Sequence, residues 1–120
     1  MSHVVTIKTR VHDPAAVAAA CHRLGLEAAV QGTAALYSGE ATGLIVRLPR
    51  WQYPAVFDTL TGDVRYDNYE GQWGDQAQLD RFLQAYAVEV AKLQARRKGY
   101  AVSEQQLADG SVRVTIVEGA

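Results

Sequence analysis

Four side chains could hold a transition metal by type: His3, His12, Cys21 and His22. Their spacing offers no CxxC, HxxxH or HExxH arrangement. Cys21 and His22 are adjacent in a helix-forming stretch, so they point about 100° apart and cannot easily share an ion. Cys21 falls on an apolar stripe, where a thiol is inert packing, and His22 faces the solvated side. No GxSxG elbow is present, and Ser38, Ser103 and Ser111 have no histidine nearby in sequence. Asp67 and Glu70 could in principle form an acid–base pair. They end a polar hairpin, however, where solvation accounts for two carboxylates as readily as catalysis does. Phosphate-cradling glycine loops are absent. Gly71-Gln72-Trp73-Gly74 matches the bare GxxG of a KH loop, but that loop lies between two helices with basic flanks. Here a strand precedes it and Asp75 follows. Arg96-Arg97-Lys98 forms the one basic run and is explained as a helix end. These residues predict no metal, no cofactor and no catalytic group, and leave RNA binding as a distant alternative.

The feature without a plain structural explanation is aromatic. Trp51, Tyr53, Phe57, Tyr66, Tyr69 and Trp73 crowd into the span 51–73 and make up six of the chain's ten aromatics. One explanation is that the rings seal the end of a sheet against a helix. The sharper one is a recognition surface, because Tyr and Trp offer large contact area at little entropic cost. Tyr69 and Trp73, beside Gly71 and Gly74, are the rings expected to stay exposed. The expected binding residues are therefore Trp51, Tyr53, Tyr66, Asp67, Tyr69 and Trp73. Arg81 joins them in a second reading, a small-ligand-binding protein or enzyme with a pocket near Tyr66, Asp67 and Arg81.

The elements that must position these residues follow from periodicity. Residues 4–11 alternate as a half-buried strand, with Val5, Ile7, Thr9 and Val11 on one side. Asp13-Pro14 is a helix start. Val17, Cys21 and Leu24 form the stripe of a helix over 14–24, and Gly25 ends it. Residues 26–70 read as short strands over 27–31, 33–38, 43–48, 54–59 and 64–69. The last two pair around Thr61-Gly62, which in a two-residue loop places Asp58 opposite Arg65 and Phe57 opposite Tyr66. Asp75 with Gln78 is a capping box. It opens a helix of about 24 residues striped by Leu79, Phe82, Leu83, Tyr86, Val90 and Leu93. Gly99 stops that helix, and Asp109-Gly110 turns a final hairpin.

This order predicts an α+β fold: a two-layer sandwich with a mostly antiparallel sheet and two helices on one face. Ferredoxin-like topology with an added C-terminal hairpin is the candidate strand order. The chain has 120 residues, of which 48% are apolar and 21% charged. Residues 1–120 therefore make a single domain with enough core to fold unaided. Twelve basic against thirteen acidic residues give a formal net charge of −1, so no global field attracts phosphate polymers or lipid. The single cysteine, the missing signal-peptide pattern and the absence of an 18-residue apolar run predict a cytoplasmic protein off the membrane.

Parts of the chain also resemble a known family. They are Met1-Ser2-His3 leading into Ile7-Lys8-Thr9, the region from Trp51 to Trp73-Gly74, and the helix with Leu79, Phe82 and Tyr86. Lys98-Gly99-Tyr100 before Asp109-Gly110-Ser111-Val112-Arg113-Val114 completes the likeness. The sequence resembles the conserved hypothetical chloroplast reading frame thirty-five family, also called domain of unknown function twelve fifty-seven, which has bacterial and plastid members. The resemblance implies a small soluble protein and carries over no catalytic or binding residues. The expected function is a non-enzymatic binding or adaptor module with a protein partner, homo-oligomers included.

Overall fold

The computed structural model describes the backbone of residues 5–8 and all of residues 10–118. The elements are β1 (Val5–Lys8), α1 (Pro14–Arg23), β2 (Val30–Leu36), β3 (Gly39–Val46), β4 (Ala55–Asp58) and β5 (Asp63–Tyr66). A 3-10 turn (Tyr69–Gly71), α2 (Gln76–Arg97), β6 (Ala101–Gln106) and β7 (Val112–Val117) follow. The fold is α+β, as the alternation of periods predicts. The expected side-chain alternation of residues 4–9, and His3, lie outside the described residues.

Five strands form one antiparallel sheet in the order β1-β5-β4-β3-β2, and β6-β7 form a separate ribbon. This differs from the ferredoxin-like order. There, each helix links two parallel strands with one strand between them. Here β2 to β5 run as a meander, β1 and β2 occupy opposite edges, and α2 leads out of the sheet into the ribbon.

Local chemistry explains the boundaries. The Asp13 carboxylate accepts from the Ala15 amide at 2.9 Å and from the Ala16 amide at 3.3 Å. Pro14 fills the first helical position, where its missing N–H costs nothing. Gly25 takes φ +69° beyond the end of α1, and the Leu26 amide returns to the Cys21 carbonyl. In α2 the Asp75 carboxylate caps through the Ala77 amide, not through a reciprocal bond with Gln78. The β4–β5 register differs from the expected one by two residues: Asp58 faces Asp63, Phe57 faces Val64, and Val56 faces Arg65. The loop is therefore Thr59 to Gly62. Gly62, not Thr61, takes the positive φ, at +83°. The Asp58 carboxylate meanwhile accepts from the Leu60 and Thr61 amides, the local bonding that makes Asp a turn residue. An even slip leaves every side chain on its expected face. The strands expected at 27–31 and 33–38 are one continuous strand, because Gly32 pairs with Gly43 and does not break it.

Register sorts the sheet into two faces. Val46, Ala55, Phe57, Val64 and Tyr66 share one face and are buried with Ala16, Val17, Ala20 and Cys21 of α1 and Leu79, Phe82, Ala85 and Tyr86 of α2. Phe57 and Phe82 meet with ring centroids 5.2 Å apart. The Tyr86 hydroxyl accepts from the His12 and Asp13 amides, each at 3.1 Å, tying α2 to the start of α1.

The other face carries Val30, Ile45 and Val56 in one cross-strand row. Leu36 lies six residues beyond Val30, roughly 20 Å along a straight strand. Yet Ala34, Leu36 and Ala41 are buried in one cluster with Val56. The β2–β3 hairpin therefore bends at its Gly32–Gly43 pair and folds back over the sheet. At the bend, a Cβ on Gly43 would stand 2.3 Å from the Phe57 carbonyl oxygen, so only glycine admits this approach.

The ribbon lies along α2. Glu104 pairs with Arg23 of α1 (3.0 Å) and Lys92 of α2 (3.1 Å), and Glu89 joins both cations. Near the other end, the Gln84 amide donates to the Gly110 carbonyl. Asp109-Gly110 sits in a longer turn than expected, closed by the Leu107 amide on the Ser111 carbonyl.

Candidate aromatic recognition site

Residues 67–75, between β5 and α2, build the site. Asn68 supplies its centre: its carbonyl accepts from the Gly71 amide at 3.0 Å and from the Trp73 amide at 2.9 Å. Its side-chain amide donates to Gln76, which also receives the Tyr66 hydroxyl. Tyr69, Glu70 and Gly71 then take φ values of +47°, +52° and +96° in succession. Two of these are L residues in the left-handed region, each costing on the order of 1–2 kcal/mol. Strain of this kind persists only where the surroundings impose it, and it gathers at functional segments.

The imposing groups are identifiable. The Asp67 carboxylate is buried (1% exposed), and one of its oxygens accepts from the Tyr69 amide at 3.2 Å. Its other oxygen has no hydrogen-bond partner among the described residues. From the opposite side, the β3–β4 connection acts as a strap. The Gln52 amide donates to the Trp73 carbonyl at 2.8 Å, and the Trp51 indole donates to the Asp75 carbonyl at 3.0 Å. The Trp51 ring lies so close to Gly74 that a Cβ there would overlap it at 2.5 Å.

Trp73 is thereby presented on a fixed backbone. Three tyrosines surround it, with ring centroids at 4.9 Å (Tyr69), 5.1 Å (Tyr37) and 5.6 Å (Tyr53), tilted by 52°, 50° and 59°. These tilted pairs lie within the centroid range at which aromatic rings attract. Tyr53, Tyr69 and Trp73 are half-buried, and Tyr37 is 57% exposed. The cluster is thus part core and part surface, which neither simple expectation described.

The expected site residues divide accordingly. Tyr53, Tyr69 and Trp73 come together. Trp51 packs on Tyr66 at 5.6 Å, and both belong to the support beneath. Burial raises the Tyr66 phenol's pKa; its bond to Gln76 opposes this and the Asp80 charge adds to it. Asp67 shapes the loop from inside. Arg81 does not join Tyr66 and Asp67. It is exposed on α2 and lines a groove of about 390 Å³ under the ribbon with Arg23, Gln84, Glu104 and Val112. The residue missed from the sequence is Tyr37, which reaches the cluster only because the hairpin bends. The paired glycines at positions 32 and 43 were the available signal.

Among the described residues, no three His, Cys, Asp or Glu side chains converge as metal ligands. Cys21 is buried, and desolvation raises its thiol pKa although a bond with the Ala29 backbone opposes the shift. No helix among the described residues is long and apolar enough to cross a membrane. The fold and surface together define an α+β protein with a strap-supported aromatic cluster. No family model, curated protein or solved structure matches the chain.

Proposed function

We propose that this chain is a small, non-enzymatic binding or adaptor module that engages a protein partner, another copy of itself included, through the Trp73 surface. The observation that carries the reading is Trp73 itself. A partly buried tryptophan stands on a strained loop, ringed by three tyrosines and braced from behind by Trp51. Buried-centre aromatic anchors with a partly wet rim are the usual hot spots of interfaces. The reading includes a cytoplasmic location, supported by a lone buried cysteine and balanced charge, and membership of the reading-frame-thirty-five family that the sequence resembles.

The test is Trp73→Ala with Tyr69→Ala beside it, read first by urea melt and then by partner recovery from the native host. Half burial predicts a stability loss of about 2 kcal/mol for Trp73→Ala, below the ~3–5 kcal/mol of a fully buried tryptophan. Retained folding with lost recovery supports the site. Undiminished recovery by the folded variant refutes it. A second reading, a polar small-ligand site, is favoured by the groove of about 390 Å³ that contains Arg81. That volume falls within the range of ligand pockets. Arg81→Ala should then abolish ligand-induced stabilisation in a thermal-shift screen of small carboxylates.

A further inference from the structure

Resting on the reading that the Trp73 surface binds a protein, we propose that its partner presents a basic segment, with an arginine or lysine side chain laid against exposed Tyr37 and the accessible part of Trp73. Charge around the rings favours a cation. The three stretches that bring the rings together are residues 36–42, 51–55 and 67–76. They contain Glu40, Asp67, Glu70 and Asp75 and neither lysine nor arginine. The nearest cations are Arg50, directly before the second stretch, and Arg65, which faces Val56 on the same side of the sheet, so the carboxylates outnumber the cations there by four to two. Glu40, Glu70 and Asp75 are exposed, and Asp67 lies directly beneath the loop. The ion pairs among the described residues use Asp13, Glu89 and Glu104 on the helical side, and none among those residues uses these four carboxylates.

A partly exposed indole beside a phenol attracts a cation through the negative face of its ring, and flanking carboxylates add to that attraction. Arginine, whose flat guanidinium both stacks and forks toward a carboxylate, fits better than lysine. The same inventory disfavours nucleic acid. Single-strand binders join stacking rings to a cationic groove, and here phosphates would meet carboxylates.

The experiment is fluorescence anisotropy of the full chain with four labelled probes. They are an alternating glycine–arginine hexapeptide, its lysine and glutamate counterparts, and a decauridylate. Arginine should bind at least as tightly as lysine, glutamate and decauridylate should not bind, and affinity should fall with added salt. Glu70→Gln, an exposed change that spares the fold, should weaken arginine binding roughly two- to five-fold. Trp73→Phe should weaken it further. Binding of the glutamate peptide or of decauridylate, no binding of either cationic peptide at millimolar concentration, or arginine binding untouched by both variants would each overturn the proposal. So would a self-associated chain that excludes the probes. If a native partner is recovered through Trp73 but contacts it with an acidic or neutral segment, this inference fails while the binding reading stands. If Trp73→Ala recovers that partner unchanged, the reading itself fails.

Discussion

Gly43→Ala should be far more harmful than Gly32→Ala, although the two glycines face each other across the same hairpin. A Cβ on Gly43 would stand 2.3 Å from the Phe57 carbonyl oxygen and 2.8 Å from its carbon. Both are backbone atoms of a strand fixed in the core, so neither can swing aside. Overpacking of this kind costs ~1–3 kcal/mol, and rigid backbone on the receiving side puts Gly43→Ala at the top of that range. On Gly32 the nearest atom would be Ile45 Cδ1 at 3.5 Å, an ordinary contact. There the lost chain entropy of alanine in the unfolded state offsets what strain remains, and the change should stay within about 1 kcal/mol. For a chain of this length the unfolding entropy is roughly 250 cal/mol/K, so each kcal/mol moves Tm by about 4 °C. Calorimetry should therefore show a fall of ~12 °C for Gly43→Ala and about 4 °C or less for Gly32→Ala. The bend also carries Tyr37 to Trp73, so Gly43→Ala should reduce the near-ultraviolet dichroism of the aromatic cluster before global unfolding. Equal Tm values for the two variants would refute the close approach and, with it, the folded-back hairpin.

The Tyr86 hydroxyl is the acceptor for the His12 and Asp13 amides. Its removal in Tyr86→Phe leaves both amides unpaired and should cost ~1–2 kcal/mol in a urea melt; a neutral result would place solvent there. Glu104 is held below its ordinary carboxylate pKa, first by the Lys92 hydrogen bond and then by Arg23. Its contribution is thus fully present above the unfolded value of about 4.3 and is lost as pH falls through the folded value. Protection of the β6 and β7 amides, taken relative to the intrinsic exchange rate at each pH, should fall as pH drops through the folded value, and Glu104→Gln should show the reduced protection already at pH 7. Gly110 holds φ +87°, so Gly110→Val should destabilise by ~1–3 kcal/mol. A loss within about 0.5 kcal/mol would mean that the turn readily adopts another form.

The helices were legible because their signals are local. Asp13-Pro14, Asp75 and Gly99 mark ends by capping chemistry, and the stripe from Leu79 to Leu93 is set by period alone. The sheet was legible in its faces but less so in its pairings. Turn chemistry at Thr59–Gly62 decides the β4–β5 register, and Asp58 capping its own loop is invisible to alternation. The second surface of α2, which carries Val88 toward the ribbon groove with Ala85 at its margin, escaped the single-stripe reading because small residues interleave there with Arg81 and Gln84. At the site, Tyr53, Tyr69 and Trp73 were readable from crowding alone. Tyr37 was not, because its approach depends on a bend whose signal, Gly32 facing Gly43, shows only once the strands are paired. Arg81 was misplaced because its helical phase turns it toward the ribbon, away from Tyr66.

The central claim is that the Trp73 surface meets another protein. A photo-crosslinking amino acid placed at Tyr37, on the exposed rim of the cluster, tests it in the living host. Leu60, 92% exposed in the β4–β5 loop, provides the control position. Illumination should join position 37 to a discrete protein adduct, lost on Trp73→Ala, while position 60 gives none. No adduct at position 37, or the same adduct from both positions, would contradict the claim.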